Sequence, residues 1–205
     1  VWTGVYAGFH VASGWANNTW RSGSGAIFDA PGFAPFFIPF VGSASGSGAV
    51  AGGQVGYNYQ IGSWVFGVEA ALSAADINSN IGCAQAGFSC NASVDGLGTL
   101  TGRAGFAFDQ FLVHAKAGAA GQHVHYNMNL VPIAGVASVL NGSENRTGWT
   151  AGAGVEFAFS PALSAVAEYN YLDFGTHVAA VIDQNGNTAH VTTTQTTHLV
   201  KVGLN

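Results

Sequence analysis

Apolar and polar residues alternate with a period of two along nearly the whole chain. In "WVFGVEAALS", Trp64, Phe66, Val68, Ala70 and Leu72 form one set, and Val65, Gly67, Glu69, Ala71 and Ser73 form the other. Such alternation predicts a β-strand with two unlike faces, one able to sit in hydrocarbon and one lined by small or polar groups. The pattern recurs about eight times. Val5, Ala7, Phe9 and Val11 alternate with Gly4, Tyr6, Gly8 and His10, and Val55, Tyr57 and Tyr59 with Gln54, Gly56 and Asn58. Four more such segments centre on Arg103, Lys116, Glu156 and Glu168, and a last one on Lys201.

The connections predicted between these segments alternate in length. Short turns fall near "QIGS", at Asp109-Gln110 and at Ser160-Pro161. Long joins occupy roughly residues 16–48, 74–98, 122–146 and 173–195. Eight strands with short turns at one end and long loops at the other predict an all-β fold. It is an eight-stranded antiparallel up-and-down transmembrane β-barrel with four long extracellular loops and short periplasmic turns, one domain over residues 1–205. Closure leaves no strand edge facing lipid. Soluble eight-stranded barrels put apolar side chains inside, and here the polarity is reversed. Aromatic residues fall in two groups. Tyr57, Tyr59, Trp64, Phe106, Phe108, Phe111, Phe157 and Phe159 lie at the short-turn end, and Trp15, Trp149, Tyr169 and Tyr171 at the other. Two such belts are what the two membrane interfaces select.

Composition agrees. Only 7% of residues are charged, against about a quarter in an ordinary soluble domain, while 48% are hydrophobic. Five Lys+Arg and a net charge of −5 exclude a nucleic-acid partner, which requires a basic footprint. The richest apolar stretch, "AIFDAPGFAPFFIPFVG", carries three prolines and reads as a loop rather than a helical span. No leader is visible, and the opening "VWTGVYAGF" suggests a processed or trimmed start.

The charges that remain in the strands share one face. Glu69, Arg103, Lys116, Glu156, Glu168 and Lys201 all fall on the inward set, one on each of the last six strands, three acids and three bases. Glu69 with Arg103 and Glu156 with Lys116 are expected as neighbouring pairs, with Glu168 between Glu156 and Lys201. The cluster reads either as an electrostatic plug or as the lining of a conducting pathway. An eight-stranded barrel is filled by its own side chains, which favours the plug.

The segments "WTGVYAGFHVASGW", "GGQVGYNYQIGSWVFGVEAALSAAD", "TLTGRAGFAFDQFLVHAKAGAA", "GWTAGAGVEFAFSPALSAVAEYNYLDFG" and "HLVKVGLN" together resemble the alphaproteobacterial Omp25/Omp31-type outer-membrane β-barrel proteins. The resemblance covers nearly every strand and little of the loops. It implies a Gram-negative outer-membrane location, contact with outer-membrane lipid and lipopolysaccharide, and a structural or porin-like surface role. Relatives of this type end on a terminal Phe, so Asn205 suggests a trimmed end, and they often carry Lys where Val166 stands. Haemin binding is associated with some relatives, and anchoring to peptidoglycan with others; residues for the latter would lie upstream of Val1.

Other candidate groups are weighed against plainer readings. Cys83 and Cys90 in "CAQAGFSC" are either two inert thiols or, in an oxidising compartment, a local disulfide, which is the expected state. His123 and His125, with His114, could cluster near the third loop as metal ligands, and Met128 could serve haem. No neighbouring carboxylate or cysteine completes a site, and polar loop residues are the simpler reading, as for His177, His190 and His198. No cofactor is called for. No Ser–His pair stands at strand spacing, so no enzyme is expected. Phe33, Phe36, Phe37, Ile38 and Phe40 of the first loop would either fold over the barrel mouth or contact a partner, a second copy or another envelope protein.

Overall fold

The computed structural model describes residues 2–22, 27–28, 36–37, 41–82, 88–133, 136–182 and 188–205. The strands in chain order are β1 Gly4–Ser22, β2 Ile27–Phe28, β3 Phe36–Phe37, β4 Val41–Ile61, β5 Trp64–Gly82, β6 Phe88–Phe108, β7 Phe111–Ile133, β8 Val136–Ser160, β9 Leu163–Ile182 and β10 Thr188–Leu204. Eight of them close a barrel in the order β1-β10-β9-β8-β7-β6-β5-β4, every pair antiparallel. β2 and β3 form a small separate ribbon, pairing Ile27 with Phe37 and Phe28 with Phe36.

The three tight turns stand where the sequence places them. At the β4–β5 turn Gly62 has φ of 60°, and at the β6–β7 turn Asp109 has φ of 51°. Both lie in the left-handed region that two-residue hairpins demand and that Gly and Asp tolerate. At the β8–β9 turn the Ala162 amide donates to Ser160 Oγ at 3.3 Å.

The other end differs from expectation. The stretches predicted as long loops are largely strand, so the hairpins continue as ladders far past the apolar zone. β8 has 25 residues, about 80 Å at about 3.3 Å per residue, whereas about 9–11 residues cross a bilayer. Above the membrane the outer face meets water and the inner face mixes apolar and polar side chains, so the backbone ladder persists without the strict alternation that reveals it in sequence.

The membrane zone is set by the two aromatic belts. At the short-turn end Trp64 packs edge-on to Phe106, ring centres 5.6 Å apart, and Phe111 lies 4.9 Å from Phe157 and 5.8 Å from Phe108. At the opposite belt Trp149 lies 5.5 Å from Tyr171, and Trp15 lies 6.5 Å from Tyr169. Trp149 is the register partner of Ala119, so on β7 the belts bracket residues 111–119. That is one bilayer crossing.

The wall between the belts presents Val5, Phe9, Val55, Val68, Leu100, Val113 and Val155 outward, all exposed. On either side of its charged centre the interior mixes apolar and polar side chains, with Asn58 and Ser164 buried towards the short turns and Gln122, Arg146 and Gln195 towards the long ladders. Val65, Ala107 and Leu112 pack with Trp2 towards the short-turn end, and Ile77, Val94, Val124 and Phe174 fill the barrel towards the long ladders.

Candidate functional site

All six predicted charges point inward and are buried, none more than 7% exposed. Lys116 Nζ donates to Glu69 Oε1 at 2.9 Å and to Glu168 Oε2 at 2.6 Å. Lys201 Nζ donates to Glu168 Oε2 at 2.7 Å and to Gln54 Oε1 at 2.9 Å, with Glu69 Oε1 at 3.6 Å. Arg103 Nη2 donates to Glu156 Oε2 at 2.8 Å, and its Nη1 lies 3.6 Å from Glu69 Oε2. The six therefore form one connected network in which each cation touches at least two acceptors.

One expected pair does not form. Lys116 is opposite Gly152, while Glu156 is opposite Leu112, four residues further towards the short turns. Four residues of strand separate them by about 13 Å. Glu156 is met instead by Arg103, by the Ser164 hydroxyl at 2.5 Å and by the Asn205 amide at 2.8 Å. Arg103 and Lys116, two cations, are themselves register partners, and the carboxylates reaching between and beyond them hold this arrangement together.

The structure adds groups whose inward position is legible but whose partners are not. Tyr6 donates its hydroxyl to Glu69 Oε2 at 2.8 Å and accepts from Arg103 Nη1 at 3.0 Å. Its ring lies under the Arg103 guanidinium, 5.3 Å from the centroid. His10 Nε2 is 2.9 Å from Ser73 Oγ. His114 is no loop residue: it is buried in the lumen with Nε2 2.9 Å from Glu168 Oε1, because even-numbered β7 positions face inward.

A fourth buried cation, Arg146, lies at the end of a stretch whose sequence predicts a loop. Its Nη1 donates to Gln195 Oε1 at 3.3 Å, its Nη2 to the Thr193 hydroxyl, and its Nε lies 3.5 Å from Glu144.

The remaining histidines sit on strand faces rather than in loops. His123 and His125 point outward from β7, with ring centres 4.7 Å apart. His123 Nδ1 is bonded to Asn145 Oδ1 at 2.6 Å, and His125 Nε2 is 3.2 Å from Asp95, a carboxylate supplied across the sheet. Among the described residues no group of three His, Cys, Asp or Glu side chains is placed to hold a metal ion. His198 belongs to the outer belt, stacked on Trp15 at 5.3 Å and 2.6 Å from the Tyr169 hydroxyl. His177 lies on β9 with Nδ1 3.6 Å from Glu144, and His190 is exposed on β10.

Cys83 lies outside the described residues, so its pairing with Cys90 does too; Phe33, Ile38 and Phe40 also lie outside them, as do the side chains of Phe36, Phe37 and Met128.

A closed antiparallel barrel with an apolar belted wall and a charged interior is an integral outer-membrane protein of a Gram-negative bacterium. The sequence matches the family described as "Outer membrane protein beta-barrel domain" over residues 2–205. It is 31% identical to the 31 kDa outer-membrane immunogenic protein of Brucella melitensis, across all of this chain and 82% of that protein. It is 28% identical to the 25 kDa outer-membrane immunogenic protein of Brucella ovis, across 85% of this chain and 70% of that one. The chain belongs to this alphaproteobacterial outer-membrane β-barrel family. In fold it is similar to the outer membrane protease OmpT of Escherichia coli (TM-score 0.56, 7% identity, 98% of this chain and 95% of that one). It is also similar to OprG of Pseudomonas aeruginosa (TM-score 0.50, 9% identity, 100% and 98%). At such identities the likeness is one of fold alone.

Proposed function

We propose that the chain is a structural component of the outer membrane whose lumen is locked by charge pairing and passes no solute. The observation that carries this reading is the network itself. Glu69 and Glu168 are each bound by both lysines, and Arg103 ties Glu69 to Glu156 across the lumen. Opening a path would separate buried charges in a wall surrounded by hydrocarbon, where an uncompensated charge costs several kcal/mol or about 3–5 kcal/mol for a broken pair. A cavity of about 380 Å³ at the short-turn end is lined by Glu156 and Asn205, so the reading rests on the charge pairing and not on a dry lumen.

The same geometry supports a non-enzymatic role. The His10–Ser73 pair resembles a nucleophile and its base, but it lies in the lumen beside a cavity of about 30 Å³, far too small for a lipid or peptide substrate. The outer wall between the belts is the surface that meets outer-membrane lipid and lipopolysaccharide.

Conductance of the refolded protein in a planar bilayer tests the reading, with Glu69→Gln and Arg103→Gln beside it. A silent bilayer, with both substitutions only lowering the unfolding midpoint, is expected. Steady openings whose ion selectivity changes with those substitutions would overturn it.

A further inference from the structure

Next to the two lysines lies a cavity of about 30 Å³. Leu97, Leu172 and Leu199, all buried, close its apolar side. Its polar side includes Lys116 and Lys201 and no carboxylate. Glu69 and Glu168 bond to the same ammonium groups but are not part of the lining. An occupant therefore lies against two lysines and no carboxylate.

Proton arithmetic sharpens this. An ammonium has three N–H donors. Lys116 commits two, to Glu69 and Glu168, and Lys201 commits two, to Glu168 and Gln54. Each keeps one. His10 also lines the cavity; it is buried, and its Nδ1 has no partner. A buried ring nitrogen without a partner is costly and asks for an occupant. The hydroxyls of Thr101 and Thr150, also in the lining, are already donors to the backbone carbonyls of Glu69 and Tyr171. Ser73, Thr99 and Asn170 line the cavity too, so its donors are the two lysines, His10 and these neutral groups.

We propose that this cavity is a binding site for one small monovalent anion of the halide class, held by Lys116, Lys201 and His10. The volume suits a particle the size of a water molecule or slightly larger and excludes phosphate, sulfate or a carboxylate ligand. Two lysines in one small lining with no carboxylate favour an anion over water, because charge-assisted hydrogen bonds are roughly twice as strong as neutral ones. The site goes beyond the structural role proposed above.

Bromide is the probe, since it scatters anomalously. Crystals of the full chain grown in sodium bromide should show an anomalous peak between Lys116 and Lys201. In detergent solution the unfolding midpoint should be higher in sodium bromide than in sodium methanesulfonate at equal ionic strength, because methanesulfonate cannot enter. Leu97→Phe fills the cavity from its apolar side and leaves the lysines and His10 in place, and should abolish that difference. If Leu97→Phe does not refold, Ala71→Val narrows the cavity and serves the same purpose. A cavity holding water with no anomalous signal, or a bromide effect unchanged in the filled variant, would overturn the proposal. Conductance decides the lumen reading separately, so either can fail alone.

Discussion

Lys201 Nζ lies 2.7 Å from Glu168 Oε2, and the two residues are also direct register partners across β10 and β9. Glu168 is the most heavily bonded carboxylate of the lumen, since Lys116 and His114 reach it as well. Glu168→Gln would leave two buried ammonium groups sharing one remaining carboxylate, Glu69. The expected loss is about 3–5 kcal/mol, the cost of breaking a buried pair from one side. Urea unfolding of the protein refolded into lipid vesicles measures it. Adding Lys201→Met should recover part of the loss, because one stranded charge is then gone.

The pairing inside the network can be tested against the pairing expected from chain order. Arg103 and Glu156 are in contact at 2.8 Å, whereas Lys116 and Glu156 are held four residues out of register. A double-mutant cycle on Arg103→Met and Glu156→Gln should give a coupling of about 0.5–3 kcal/mol, as contacting residues do. The cycle on Lys116→Met and Glu156→Gln should give a clearly smaller value. Equal couplings would mean that the charges act as one diffuse field rather than through these contacts.

Much of this was legible in the sequence. Period two located all eight barrel strands, three tight turns, both belts and the six inward charges, because within a membrane one face must be apolar and alternation is strict. Above the membrane that constraint lapses. Around Arg146 the outward neighbours are Asn145 and Thr147, as polar as the inward side, so the stretch looked like loop and a buried cation was missed. Partner choice was hidden for another reason. Tyr6 reaches Glu69 over 63 residues of sequence, and His10 reaches Ser73 over the same separation. Face is a local property of a strand, whereas contact across a lumen depends on the stagger accumulated around the whole barrel.

Gly56 is the register partner of Tyr6, and a Cβ at position 56 would run into the Tyr6 ring. The bare glycine lets the ring lie flat against β4, which aims the hydroxyl at Glu69. Gly56→Val should displace the ring and cost about 1–3 kcal/mol, the usual penalty of overpacking. Tyr6→Phe keeps the packing and removes only the hydroxyl. If the two variants unfold at the same denaturant concentration, the glycine's role is confined to the hydrogen bond.

The depth of the wall gives the last prediction. Ala115 faces outward on β7 midway between Phe111 in one belt and Ala119, which is opposite Trp149 in the other. Lys116, one residue along, points into the lumen and is paired with Glu69 and Glu168. Ala115→Arg should therefore cost about 2–4 kcal/mol, since the guanidinium would sit near the bilayer midplane with no partner. Ala119→Arg, at the belt, should cost only about 0–1 kcal/mol because the side chain can reach the interface. Both values come from reversible unfolding in lipid vesicles. Equal costs at the two positions would show that the belts do not mark the bilayer boundaries, and a small cost at Ala115 alone would place the midplane elsewhere on the wall.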